Sequence, residues 1–198
     1  MKGSSNKLIP PGSTIGIFGG GQLGRMFAQV AKRMGYYVVV YCPETESPAA
    51  QVSDRHIVGD YLDFAKVEDF AKSVAVITLE FENIPVETVN FSAKFCDVRP
   101  SAQALAIIQN RITEKNFLQS IGVAPTPFAE VLDIESARGI FQRFAAEGGK
   151  GLVLKTATLG YDGKGQVKVT EIDQLPSAIS SLGDTQIIAE KLIEIDLE

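Results

Sequence analysis

The chain is poor in the groups that most often announce a functional site. Among its 198 residues there is one histidine, His56, and only two cysteines, Cys42 and Cys96, far apart in sequence. That supports neither a disulfide framework nor a Cys/His zinc site; both cysteines adjoin apolar runs and are expected to be buried strand residues. No run approaches the roughly 18 apolar residues of a membrane span. The segment from Met1 to Thr14 carries Gly, Ser, Asn and the pair Pro10 and Pro11, without the apolar centre of a signal peptide. A basic excess is missing too. With a formal charge of −5 and a pI near 5.0 the chain has no field for nucleic acid or an anionic membrane, although local basic sites for a phosphorylated small molecule remain open. Repeats and low-complexity tracts are absent, and a reducing, cytoplasmic setting is the expectation.

What is present is globular material, 45% hydrophobic and 22% charged, enough for one large or two modest domains. Ser13 to Phe18 reads as a short buried strand that runs into Gly19-Gly20-Gly21-Gln22-Leu23-Gly24 and then an amphipathic helix from Arg25 to Met34. Tyr37 to Cys42 is a second strand, β-branched and aromatic, suited to burial on both faces. The alternation continues: a strand at His56 to Val58, a helix from Asp63 to Lys72 capped by Asp63, a strand at Val74 to Thr78, a helix after Pro85, and a strand at Cys96 to Arg99. Such alternation predicts an α/β fold with a doubly wound parallel sheet. Helices follow over Pro100 to Gln109 and Arg111 to Ser120.

Near Asn110 the pattern changes. A strand at Phe128 to Val131, a helix at Ile134 to Ala146, strands at Gly151 to Lys155 and Val167 to Val169, a helix at Ile172 to Ser181 and a strand at Gln186 to Glu190 predict a smaller α+β unit. The chain stops inside a strand-like apolar alternation, from which it is expected to be cut short.

Two glycine-rich stretches carry the chemistry. Gly160-Tyr161-Asp162-Gly163-Lys164-Gly165-Gln166 lies between two strands, five residues after Lys155. It reads either as a plain long-looped hairpin or as a flap over a polyphosphate, with Lys155 as a fixed point charge. Gly19-x-Gly21-x-x-Gly24 stands where a dinucleotide fingerprint stands, after a strand and opening a helix. The acid that a nicotinamide site wants at the end of the second strand is missing, since Cys42 and Pro43 come before Glu44. A phosphorylated small molecule at the helix N-terminus therefore outranks a nicotinamide cofactor. Glu80-Phe81-Glu82-Asn83 follows the strand ending at Thr78; on its own it is a solvated acidic turn, or a holder of an amine or ribose hydroxyls. Arg111, Glu114 and Lys115 could be no more than exposed helix partners, and Glu190 a solvated strand-end acid.

Taken in order, these stretches resemble one family. Gly20 to Met26, Tyr41 with Pro43 and Glu44, Ser47-Pro48-Ala49, Thr78 with Glu80 to Pro85, Arg99-Pro100, Asn110-Arg111 with Glu114-Lys115, and Lys155 with the loop Gly160 to Gln166 are similar to the N5-carboxyaminoimidazole ribonucleotide synthetases, ATP-grasp enzymes of purine biosynthesis. The resemblance implies a doubly wound domain over 1–110, an ATP-grasp lid over 111–189, and, at 190–198, the start of a third domain that is otherwise missing. It implies ATP contacts at Arg111, Lys155, Gly160, Tyr161, Asp162, Gly163, Lys164, Gly165, Gln166, Glu190, Lys191, Leu192, Ile193 and Glu198. Catalytic or ribotide-handling roles would fall to Tyr161, Asp162 and Lys164, and substrate contacts to Gly21, Gln22, Leu23, Glu80 and Glu82. ATP, bicarbonate and aminoimidazole ribonucleotide are the implied partners, and a homodimer the implied assembly. Mg²⁺ is expected, with its carboxylates beyond this chain, so no metal ligand is assigned and the chain alone is not expected to turn over. Formate-dependent glycinamide ribotide transformylases and biotin carboxylases share the architecture. A nicotinamide-dependent oxidoreductase and a non-catalytic nucleotide-binding module are the readings from other classes.

Overall fold

A computed structural model describes residues 8–160 and 164–193. The chain forms two compact units, Met1–Ala106 and Ile107–Glu198, each taken here by itself.

In the first unit β1 (Thr14–Phe18), β2 (Tyr37–Cys42), β3 (Arg55–Val58), β4 (Val76–Leu79) and β5 (Asp97–Arg99) form one sheet in the order β3-β2-β1-β4-β5. Every neighbouring pair is parallel, as the alternation of strands with α1 (Gln22–Arg33), α2 (Phe64–Lys72) and α3 (Val86–Ser92) requires. A parallel sheet is covered on both faces, and the two-residue period of its strands sorts the core accordingly. Val38, Val40 and Cys42 pack with Ile17, Ala28 and Ala31 on the α1 side. Val39 and Tyr41 point the other way and pack with Phe18, Phe70 and Ile77. Phe18 centres this second layer, with ring centroids 5.0 Å from Phe70 and 5.5 Å from Tyr41. The strand order reverses between β1 and β4, so the loops after these two strands leave the same sheet edge side by side.

Two expectations need adjusting. α1 begins at Gln22 rather than Arg25, because Gly21 already serves as its N-cap and Gly24 is buried inside the first turn. Cys42 is buried at the end of β2, but Cys96 lies one residue before β5 and is only half-buried, so it is not a core strand residue. Asp63 does cap α2, its carboxylate accepting from the Lys66 amide.

α4 (Ala102–Ile108) leads to the second unit, where β6 (Phe128–Val131), β7 (Leu152–Thr156), β8 (Gln166–Val169) and β9 (Ile187–Lys191) form an antiparallel sheet in the order β6-β9-β7-β8. Leu152, Leu154, Val169, Ile187 and Ala189 turn one face toward α6 (Ile134–Ala146) and α7 (Leu175–Leu182), meeting Phe144, Ile140 and Leu175. The helix expected over Ile172 to Ser181 is a 3₁₀ turn, Ile172–Gln174, followed by α7, which has proline in its first turn. By the same period of two, Val153, Lys155, Lys168 and Glu190 lie on the opposite face. The division expected at residue 190 falls inside β9, whose Glu190 pairs with Phe128 on one side and Val153 on the other. Among the described residues no helix is long and apolar enough to cross a membrane.

Candidate functional site

β7 and β8 are the two arms of a hairpin, with Lys155 opposite Gln166, and the glycine-rich loop is its tip. The tip opens with Leu159, a non-glycine residue held at φ 63°, and closes with Gly165 at φ 69°, where an added Cβ would sit 2.8 Å from Thr156 Oγ1. A leucine in the left-handed region is strained and must be held by its surroundings. Arg111, at the start of α5 (Arg111–Ser120), supplies that support. Its Nη1 donates to the Thr156 carbonyl at 3.0 Å and its Nη2 to the Gly160 carbonyl. Asn110 caps α5, accepting from the Ile112 and Thr113 amides at 2.9 and 3.2 Å, which fixes the helix end that carries the arginine. Arg111 thus braces the base of the loop.

Beside the hairpin, on the sheet face opposite α6 and α7, lies a cavity of about 540 Å³ lined by Thr126, Val153, Lys155, Gln166, Lys168 and the run from Glu190 to Ile193. Its volume is that of an ordinary small-ligand site. Glu190 is 8% exposed and held by two ammonium groups: Lys155 Nζ lies 2.9 Å from its Oε2 and Lys115 Nζ 3.3 Å from its Oε1. Lys191 belongs to the lining, but its ammonium donates to the Glu147 carbonyl at 2.8 Å, at the C-terminal end of α6, where a cation is favoured. Lys155 and Lys168 remain as the basic side chains of the open sheet face, so the cavity suits an anionic ligand.

Of the residues expected to contact nucleotide, the structure therefore brings Lys155, Gln166, Glu190, Lys191, Leu192 and Ile193 to one cavity. It places Arg111 at the loop base, with Gly160, Lys164 and Gly165 in the loop. Tyr161, Asp162, Gly163 and Glu198 lie outside the described residues. Lys115 was missed. Glu114 and Lys115 read locally as helix-surface charges, and the partner that gives Lys115 its place stands on the last strand, out of reach of any helix-period rule.

The first unit holds a different kind of site. The turn Gly19–Gly21 and the residues after β4 meet at the edge where the strand order reverses. There the Gly21 amide donates to Glu80 Oε2 at 2.6 Å. An added Cβ at Gly19 would lie 2.7 Å from Glu80 Oε2, one at Gly24 3.0 Å from the same atom, and one at Gly21 would collide with Glu80 Oε1. The fingerprint glycines close around the protein's own carboxylate. At the N-terminus of α1 the Gly21 amide, at the positive end of the helix dipole, thus meets a carboxylate of the protein.

A cavity of about 330 Å³ opens beside Glu80, lined by Gly20, Gly21, Ser47, Tyr61 and Phe81 and by the further carboxylates Glu44 and Glu46. Burial, and then the nearby Cys42, Glu44 and Glu80, push the Tyr61 phenol well above its ordinary range, so it is a neutral hydroxyl in this pocket. Burial likewise pushes the Cys42 thiol up, and its Sγ lies 3.2 Å from His56 Nε2. The pocket suits hydroxyls, amines or a cation. Gly21 and Glu80 line it, whereas Gln22 and Leu23 are exposed on the first turn of α1 and Glu82 is exposed two residues past Glu80.

Comparison with known proteins matches these two units one by one. Residues 13–109 match the family model described as the ribonucleotide synthetase preATP-grasp domain, and residues 116–198 the ATP-grasp domain. The N5-carboxyaminoimidazole ribonucleotide synthase of Brucella melitensis is 42% identical over 192 residues, 96% of this chain and 52% of that protein. Over nearly its whole length the chain is similar to N5-carboxyaminoimidazole ribonucleotide synthases. A solved N5-carboxyaminoimidazole ribonucleotide synthetase in complex with ADP superposes with a TM-score of 0.87 at 37% identity, over 96% of this chain and 50% of that one. The synthase of Aspergillus clavatus, solved with ADP and 5-aminoimidazole ribonucleotide, gives 0.79 at 29% identity, over 93% of this chain and 48% of that one. The chain spans about half the length of the curated relatives it matches.

The ATP-grasp match over residues 116–198 and the ADP complex of a similar synthetase favour a nucleotide-binding reading over the oxidoreductase one. Among the described residues no group of three or more His, Cys, Asp or Glu side chains is placed to hold a metal ion.

Proposed function

We propose that the protein carrying this chain is an ATP-dependent carbon–nitrogen ligase that carboxylates 5-aminoimidazole ribonucleotide with bicarbonate, in purine biosynthesis. The observation that carries this reading is the pairing of Lys155 with Glu190 beside a braced glycine hairpin, on the open face of an ATP-grasp sheet. A bicarbonate oxygen attacks the γ-phosphorus of ATP and ADP departs, leaving carboxyphosphate. That intermediate releases phosphate and carbon dioxide, and the exocyclic amine of the ribotide attacks the carbon and gives up a proton.

Phosphoryl transfer demands positioning and charge neutralisation more than covalent chemistry. Lys155 supplies a fixed charge toward the phosphates, and the loop Gly160 to Gln166 supplies backbone amides while excluding water from a hydrolysable intermediate. Asp162 takes the amine proton or orients the amine, and Tyr161 and Lys164 hold the ribotide. Glu190, with the backbone of Lys191, Leu192 and Ile193, reads the nucleoside end of ATP, with Arg111 and Glu198 completing the nucleotide contacts. In the first unit Glu80, fixed by the Gly21 amide, offers its other oxygen to ribose hydroxyls, with Gln22, Leu23 and Glu82 at the margin. The setting is cytoplasmic and the assembly a homodimer.

Phosphate release by the full-length protein tests the reading: full ATPase activity requires both bicarbonate and aminoimidazole ribonucleotide. Equal hydrolysis without the ribotide sinks the assignment.

A further inference from the structure

The cluster around Glu190 holds one more cation than the proposed contacts use. β9 runs between β6 and β7, and the two oxygens of the Glu190 carboxylate face different partners. Lys155 reaches Oε2 from β7, has a side chain 26% exposed and lines the cavity. Lys115 reaches Oε1 from α5, is only 14% exposed, and has its ammonium 5.7 Å from the centroid of the Phe128 ring, the residue paired with Glu190 across the sheet. Lys115 does not belong to the cavity lining. One lysine is therefore open to a ligand, while the other is fixed between a carboxylate and an aromatic face.

An arriving polyphosphate competes with Glu190 for Lys155. Were Lys155 the sole counter-ion, its departure would strand a buried carboxylate, which is strongly unfavourable. We propose that Lys115 is a positioning residue: it is the standing counter-ion of Glu190, and it releases Lys155 to the phosphates of the nucleotide. The proposal rests on the nucleotide reading given above. It separates ligands that carry phosphate from those that do not, because only the former need Lys155 to turn away from Glu190.

Calorimetric titration of the full-length protein with ADP and with adenosine tests it. Lys115→Met is expected to weaken ADP binding by about 30-fold, the scale of breaking one partner of a buried charge pair, and adenosine binding by less than about 3-fold. Lys115→Arg, which keeps the charge, is expected to retain ADP affinity. Unchanged ADP affinity in Lys115→Met overturns the proposal, as does an equal loss for ADP and adenosine, which would mean that Lys115 only supports the pocket wall. An arginine variant as weak as the methionine variant overturns the role of charge. Should Lys115→Met fail to fold, Lys115→Gln carries the same comparison. Wild-type protein that binds no ADP fails the nucleotide reading itself, a result distinct from the other three.

Discussion

The two glycine-rich turns of this chain look alike in sequence and do opposite things. At the start of α1 the glycines let backbone come close to a carboxylate, Glu80, and the neighbouring cavity carries two more acids, Glu44 and Glu46. On the β7–β8 hairpin, Lys155 and Lys168 line the neighbouring cavity, and the buried acid there, Glu190, is already neutralised. Glycine spacing reports only that backbone must approach something closely. The charge delivered by other strands decides whether that something is an anion from outside, an anion of the protein itself, or a ligand that pairs with acids.

The comparison breaks most sharply at Lys155. Lys155→Met removes the charge aimed at the phosphates and is expected to lower ATP-dependent turnover of the full-length protein by about 10²- to 10³-fold, the range for losing one preorganised donor. The ribotide KM is expected to hold within about threefold if the lysine acts only on phosphate. A KM shift as large as the kcat loss would show that the basic site is not confined to nucleotide.

Removing Glu80 tests the other turn. Glu80→Ala empties the N-terminus of α1, so the helix loses its capping anion and about 1 kcal/mol of stability, read as a Tm lower by several degrees. The vacated amide is then expected to take up inorganic phosphate, visible as a rise in Tm with added phosphate that the wild type does not show. No phosphate response and no stability change would mean that Glu80 is not the anion of this turn. Gly21→Ala is milder. The new Cβ meets the far end of the Glu80 side chain, which can swing aside, so Tm falls by less than in Glu80→Ala. The ribotide KM nonetheless rises by several-fold, on the order of 1 kcal/mol, because the displaced carboxylate no longer faces the pocket.

The contrast between the turns also marks how far the sequence could be read. Strand and helix positions were legible because β1, β2 and α2 follow simple periods and caps: Val38 to Cys42 are all buried and Asp63 caps where expected. The hairpin with Lys155 opposite Gln166 was legible as strand, glycines, strand. What no local rule supplied was the partner across the sheet. Glu80 meets Gly21 only because β4 lies next to β1 at the reversal of strand order, and Lys115 meets Glu190 only because β9 inserts between β6 and β7. The same gap hid Glu80 from the reading of α1, since the helix end was visible in the sequence and the carboxylate that meets its Gly21 amide was not.

The smallest effect separates the two units by their tyrosines. Tyr41, fully buried in the first unit, donates its hydroxyl to the Asp60 carbonyl at 2.7 Å. Burial, reinforced by Asp63 and Asp60, pushes its phenol up to about 12, and burial raises Tyr61 as well. Among the described residues the second unit has no tyrosine. A phenol whose pKa is higher folded than unfolded contributes stability that is complete below the unfolded value of about 10 and is lost as pH rises through the folded value. The first unit is therefore expected to weaken between pH 10 and 12, by about 1 kcal/mol at pH 11 for Tyr41, with no such contribution from the described part of the second. Absorbance at 295 nm checks the cause, since two of the five tyrosines should stay silent until the protein unfolds. Urea midpoints at pH 9 and 11 check the consequence. Tyr41→Phe should start less stable, having lost its hydrogen bond, and then fall less steeply over the same interval. All five phenols ionising together near pH 10 in folded protein would remove the effect, and with it this distinction between the two units.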